Sequence, residues 1–346
     1  MAKRYNKNIW KIIGVYTSAI IGASFVSGRE LLQFFAGYGA WGVAGLIVTG
    51  VFFALAGWAV LDICFTKRIT NGTDLLNHVL GEHIGVIVEV SAVFLMFILY
   101  SAMMAGAGAS LKQYTGLPFF IGVIIASALA FAALLFDLNG LIAVNANLAP
   151  FLAAGGLMIG FMSFINQFRP VFASNNQLHW LYAAFTYAAY NIVTSVPILS
   201  NMSVLLENRK DAMKSGLLSG FVMTAIGLCM IYPLYLNYAN VRHTEIPLIN
   251  ISSQFGHIFK IFHILIILAA IFTIAMSTGF SFIQWLSKFL GLKPIYAKIV
   301  LVFSGLLCAH IGFSIFISKI YLLFAVIGLI ETASILTVWI KKHGKA

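Results

Sequence analysis

Charge is what this sequence has least of. Only 9% of its 346 residues are charged, and only ten are acidic. A soluble domain carries about 25% charged residues, so a water-facing globular domain is excluded. Cysteine is nearly absent: Cys64, Cys229 and Cys308 share no metal or redox spacing. That removes a disulfide framework and a thiolate metal site and leaves three small packing residues. There is no HExxH, no GxSxG and no pair of aspartates in facing apolar segments. The usual intramembrane catalytic constellations are therefore missing, and the chain reads as a non-enzyme. No polar ring repeats as a channel lining would. The basic N-terminus (Lys3, Arg4, Lys7, Lys11) is not followed by a small-residue cleavage site, so no cleaved signal peptide is expected.

What fills the chain instead is apolar: 61% of residues are hydrophobic and the mean hydropathy is +0.97. Ten runs are each long enough, at about 20 residues, to cross a bilayer. They span roughly 10–38, 41–66, 81–113, 118–136, 141–165, 178–206, 211–237, 258–290, 295–313 and 317–341. The net charge of +11 follows topology rather than a nucleic-acid partner. With the N-terminus inside, the inner segments hold most of the 21 Lys and Arg residues, and the outer side holds only Lys112, Arg169, Arg242, Lys260 and Lys319. This positive-inside bias predicts a multi-pass protein of the cell membrane with both termini cytoplasmic. No extra soluble domain fits. The longest polar stretches are the 67–80, 166–177 and 238–257 loops, and the last has room for a short surface helix.

The first span is interrupted halfway by Gly22-Ala23-Ser24-Phe25-Val26-Ser27-Gly28-Arg29-Glu30. Ser27 and Glu30 have the spacing of a capping box, which starts a new helix. A restart at membrane depth leaves backbone groups that lipid cannot satisfy, so it must face protein, a cavity or a ligand. The sixth span carries Tyr187-Ala188-Ala189-Tyr190-Asn191-Ile192-Val193-Thr194-Ser195-Val196-Pro197. Pro197 removes a helical hydrogen bond there, and an ordinary proline kink is the alternative to a true break. Both interruptions begin about twelve residues into their spans, in helices of opposite direction, which is the pattern of an inverted repeat. The expected fold is an all-α integral membrane protein of ten transmembrane helices in a 5+5 inverted repeat, with helices 1 and 6 discontinuous. It forms one domain over 1–346, with repeats of about 10–165 and 178–341.

Ile20-Ile21-Gly22-Ala23-Ser24-Phe25 followed by Ser27-Gly28-Arg29-Glu30 resembles the opening helix of the amino acid–polyamine–cation transporter superfamily. Within it the chain is similar to the YkvI-type bacterial membrane proteins, regarded as candidate amino acid permeases. The resemblance implies the LeuT-like fold, a bacterial plasma membrane, a small-molecule substrate and alternating access around helices one, three, six and eight. It also implies a sodium site from the carbonyls of Gly22, Phe25 and Ile274 with the hydroxyls of Ser277 and Thr278. Arg29 and Glu30, directly after the break, depart from the small uncharged run of many relatives.

Half-helix N-termini suit a carboxylate. The expected substrate contacts are therefore Gly22, Ala23, Ser24, Phe25, Ser27 and Gly28, facing Tyr187, Tyr190, Asn191 and Thr194, with Tyr100 adding a phenol. Ser277 and Thr278 offer hard oxygen ligands for a small cation, or simply bond to their own helix. Intramembrane charge is expensive and usually functional. Arg29 is the candidate outer gate or anion contact. Glu30 is a cap or a proton site, and Glu331 is a proton site or a structural hydrogen bond. The reading is a secondary transporter of a small zwitterion or anion, with Na+ as coupling ion and no other cofactor. Proton coupling, or a non-transporting sensor on the same scaffold, stands as the alternative, and the oligomeric state is open.

Overall fold

The computed structural model describes residues 2–135, 138–166 and 179–343, although the side chains of 2–7, 23, 24, 138–147, 149, 153, 166, 318, 320, 323, 342 and 343 are not described. Among the described residues the secondary structure is helical throughout. In order the α-helices are α1 (Ala2–Ile20), α2 (Ala23–Val26), α3 (Arg29–Phe34), α4 (Ala40–Lys67), α5 (Gly72–Leu80), α6 (Glu82–Thr115), α7 (Phe119–Ala133), α8 (Leu138–Asn166), α9 (His179–Met202), α10 (Arg209–Leu236), α11 (Tyr238–Val241), α12 (Pro247–Ser252), α13 (His257–Leu290), α14 (Pro294–Cys308), α15 (Phe313–Ile315) and α16 (Tyr321–His343). Seven of the helical stretches are long and apolar enough to cross a membrane. The first expected span is divided among α1, α2 and α3, α7 is shorter, and the expected 166–177 loop lies almost wholly outside the described residues.

The closest-packed pairs are α4 with α10, α6 with α13 and α9 with α16. Small residues permit this approach: a Cβ added at Gly220 would sit 2.6 Å from the carbonyl oxygen of Gly50. Large apolar side chains such as Phe161, Phe221, Phe303 and Val326 remain exposed, as expected of a surface that meets lipid. Arg68 and Arg209 line one pocket of about 570 Å³, and Arg209 forks onto the buried Asp62 at 2.6 and 3.0 Å. The Ser203 hydroxyl donates to the Ile69 carbonyl at 2.8 Å. These contacts gather the ends of α4 and α9 and the start of α10 at one basic face. There Asn208 and Asp211 form a reciprocal capping box that starts α10.

Three local expectations are corrected. The capping box at Ser27 and Glu30 does not form. The N-cap of α3 is Gly28 at φ +81, without a side-chain cap, and the Ser27 hydroxyl accepts from the Arg29 N–H at 3.2 Å. A left-handed glycine turns the chain, which releases Glu30 for a distant partner. The sixth span is not discontinuous: α9 runs through Pro197 to Met202. Its polar side chains turn onto its own backbone, Asn191 to the Tyr187 carbonyl at 2.9 Å, and Thr194 and Ser195 to the Asn191 carbonyl at 2.9 and 2.7 Å. These bonds satisfy the polar side chains within the helix without calling on a neighbour, while the proline itself leaves only the Val193 carbonyl without its helical donor. Finally, the helix expected on the surface of the 238–257 loop is α12, and it is buried through Leu248, Ile249 and Ile251, while the 67–80 loop holds α5.

Candidate functional site

The break in the first helix opens onto a narrow cleft of about 20 Å³ between α1, α3, α6, α9 and α13. Its wall includes Gly22, Glu30, Tyr190, Asn191, Thr194, Ile274, Ser277 and Thr278. Eight of the residues singled out in the sequence thus meet at one place. α13 closes on the break at Gly22, where a Cβ would lie 2.6 Å from Ile274 Cδ1. The space suffices for about one water-sized guest. It is far below the roughly 300 Å³ at which pockets for small organic ligands begin.

The oxygens expected to hold a cation are close but internally engaged. The Gly22 carbonyl accepts from the Val26 N–H at 2.9 Å, and the Phe25 carbonyl accepts from the Gly28 N–H at 2.9 Å. The Ser277 hydroxyl donates to the Thr273 carbonyl at 2.9 Å, and the Thr278 hydroxyl donates to the Ile274 carbonyl at 2.7 Å. A carbonyl or hydroxyl oxygen that is part of one hydrogen bond keeps a lone pair for a second contact. These neutral hard oxygens remain compatible with a small cation. Among the described residues no three His, Cys, Asp or Glu side chains converge.

Glu30 is the charge at the centre of this site. Its side chain is 2% exposed, and the Tyr187 hydroxyl donates to Glu30 Oε2 at 3.1 Å. Tyr190 lines the same cleft as Glu30 and packs on Tyr321, and the hydroxyls of Tyr190 and Tyr321 make no hydrogen bond among the described residues. Ring contacts of 5.3 Å from Phe34 to Tyr187, 5.5 Å from Tyr187 to Tyr190 and 5.2 Å from Tyr190 to Tyr321 build an aromatic wall around Glu30. Of the two roles the sequence offers Glu30, the local cap gives way to this tertiary setting, and its signal in the sequence is the Tyr187–Tyr190 pair, one turn apart on α9.

Other expected residues are placed elsewhere. Tyr100 packs on α14, where a Cβ at Gly305 would sit 2.5 Å from its Cε1. It does not line the cleft; its helix contributes Leu99 and Met103 instead. Phe25 is buried and directed at α10, 3.3 Å from a Cβ built at Gly227. The side chains of Ala23 and Ser24 lie outside the described residues. Glu331 is buried in α16 away from the cleft, and its Oε2 has no hydrogen-bond partner among the described residues.

One end of the site is closed. The N–H of Leu248 in α12 donates to the Ser27 carbonyl at 3.0 Å. Arg29 Nη1 donates to the carbonyls of Arg242 and Thr244, each at 3.1 Å. Glu245 accepts from the Ser314 N–H and hydroxyl at 3.0 and 2.7 Å, and Gln113 donates to Asn250 at 2.8 Å. Arg29 is therefore a clasp on backbone carbonyls. The other end leads to a vestibule of about 290 Å³ lined by α5, α6, α9 and α13. Met96, Pro197 and Ser281 of the vestibule stand one turn or less from Leu99, Ile198 and Ser277 of the cleft.

No family model matches the chain. It is similar to the uncharacterized membrane protein YkvI of Bacillus subtilis (strain 168), 25% identical over 318 residues that cover 91% of this chain and 91% of that protein. It is also similar to the uncharacterized protein YyaD of the same organism, 24% identical over 313 residues, 90% of this chain and 91% of that one. Among solved structures it resembles MhsT in complex with L-phenylalanine, with TM-score 0.66, 13% identity, and coverage of 92% of this chain and 87% of that one. A mutant of the Eremococcus coleocola manganese transporter gives TM-score 0.63, 11% identity and coverage of 95% and 78%.

Proposed function

We propose that this chain, which carries the LeuT-like transporter fold and is a relative of YkvI and YyaD, is a secondary active transporter of a small zwitterionic metabolite of the amino acid class, coupled to sodium. The ten expected spans then form two inverted repeats, and the basic face, with Arg68 and Arg209, lies in the cytoplasm as the positive-inside rule requires. The observation that carries this reading is the broken first helix. Its gap shares a polar cleft with α9 and α13, sealed on one side by α12 and adjoining a vestibule on the other. That is the layout of an inward-facing state whose central site has shrunk to the size of an ion. Rearrangement must enlarge the cleft before an amino acid fits. The MhsT complex with an amino acid supports the substrate class by likeness of fold.

In this reading the ion sits among the Gly22, Phe25 and Ile274 carbonyls and the Ser277 and Thr278 hydroxyls. The substrate meets the break backbone and Tyr190, Asn191 and Thr194. Glu30 favours proton coupling as a second reading, because a buried carboxyl beside tyrosine hydroxyls is a site at which protonation can change with exposure. A thermal-shift screen of the twenty amino acids, in sodium and in potassium, separates these. Ligands that bind the folded state raise its melting temperature. Shifts that require sodium support sodium coupling; shifts that require low pH, and that Glu30→Gln abolishes, support the proton. A screen with no shift in any salt or pH speaks against a transporter of amino acids.

A further inference from the structure

The vestibule beside the cleft is more than a passage. Glu89 of α6 and Lys288 of α13 both line it, with opposite charges, yet they make no ion pair with each other. Thr73 donates to Glu89 Oε1 at 2.7 Å and fixes that carboxylate. Glu89 Oε2 and the ammonium of Lys288 have no protein partner among the described residues. The same holds for the side-chain amides of Asn201 and Gln284, which face the same space. Trp285 forms part of the wall, stacked on Phe289 at 4.7 Å.

We infer that this vestibule is a second binding site for an amino-acid-type zwitterion, holding the ammonium at Glu89 and the carboxylate at Lys288. The inference rests on the transporter reading and deepens it. At about 290 Å³ the cavity takes a whole amino acid, which the central cleft of about 20 Å³ does not. A lone cation answers only Glu89 and a lone anion only Lys288. A guest with both charges answers both, and Asn201 and Gln284 supply the remaining donors and acceptors. An ordinary solvated rim accounts for the exposed Lys288. It accounts for the exposed Gln284 as well, but not for the half-buried carboxylate of Glu89, buttressed by Thr73 and lining the same cavity as the half-buried, unpartnered amide of Asn201. The site is the station a solute occupies between the central cleft and the aqueous side.

The test is equilibrium dialysis of the purified full chain, in detergent free of aminolipid so that no headgroup supplies the ammonium. The probes are tritiated L-amino acids, each of which is also tested for uptake by proteoliposomes. The expected result is a second, weaker molecule bound per chain. Its affinity falls about tenfold or more in Glu89→Gln and in Lys288→Met, the loss of one charged hydrogen bond. The tighter molecule stays bound in both variants and reports that they are folded. A single molecule bound per chain, or a second one indifferent to both substitutions, overturns the inference while leaving the transporter reading in place. Absence of both binding and uptake for every amino acid overturns the two together.

Discussion

The backbone N–H of Leu248 donates to the carbonyl of Ser27 at 3.0 Å, and through that bond the buried α12 rests directly on the break between α2 and α3. Arg29, two residues on, adds two bonds to the carbonyls of Arg242 and Thr244. Hydrogen bonds from a charged donor contribute about 1.5–3 kcal/mol, discounted here because Arg29 is only half-buried. Arg29→Ala is expected to loosen α12 without unfolding the bundle. Amide hydrogen exchange over 248–252 should rise while the α4 and α10 amides stay protected. Gly28→Ala should act more severely, because φ is +81 and the new Cβ would lie 2.7 Å from Leu248 Cγ. Unchanged exchange in both variants would show that the clasp bears no part of the closure.

Ser277 and Thr278 donate to carbonyls of their own helix, and such back-bonds add little to helix stability. Replacing both with alanine should leave the melting temperature in potassium within a few degrees of wild type. The extra stabilisation by sodium should disappear. A large loss of stability in potassium, with the sodium increment intact, would make these hydroxyls structural only. Glu331→Gln, away from the cleft, should leave the sodium increment unchanged.

The Arg209–Asp62 fork is asymmetric: Asp62 is 1% exposed and Arg209 is 49% exposed. Removing the exposed partner strands a buried carboxylate, whereas Asp62→Asn leaves an arginine that can reach water. Arg209→Ala should therefore cost more stability than Asp62→Asn, by about 1–3 kcal/mol. Denaturation of the two variants in matched detergent measures the difference. Equal losses would mean that Asp62 finds sufficient replacement partners.

Pro197 sits inside a helix that stays helical. Its removal restores a backbone donor for the Val193 carbonyl, so Pro197→Ala should keep or raise the melting temperature. If α9 bends at this point when the vestibule closes, uptake falls at the same time. Uptake equal to wild type would mean that the proline serves only to pack against Gly72, whose added Cβ would lie 3.0 Å from Pro197 Cα.

The interruption at 22–28 was legible because glycine, serine and charge inside an apolar run conflict with an uninterrupted membrane helix. The device behind it was not. Ser27 and Glu30 match a local capping pattern, but Glu30 turns to Tyr187 on another helix, and a tertiary partner overrides the local one. Pro197 misled in the same way: the rule for an isolated helix predicts a break, while hydroxyls and an amide bonded to α9's own carbonyls accompany its continuation. Gly22, Ser277 and Thr278, grouped in the sequence by the resemblance, line one cleft in the fold, with both hydroxyls bonded to their own helix. The Glu89–Lys288 vestibule was invisible, since its two charges lie on different helices far apart in sequence and only packing brings them to one cavity.

Uptake of labelled amino acids by proteoliposomes under an imposed sodium gradient, with and without Ser277→Ala/Thr278→Ala, tests the central reading most directly. Concentrative uptake that follows the inward sodium gradient and is lost in the double variant is the expected result. No accumulation of any amino acid under a sodium or a proton gradient, from protein that is folded and inserted, would contradict it.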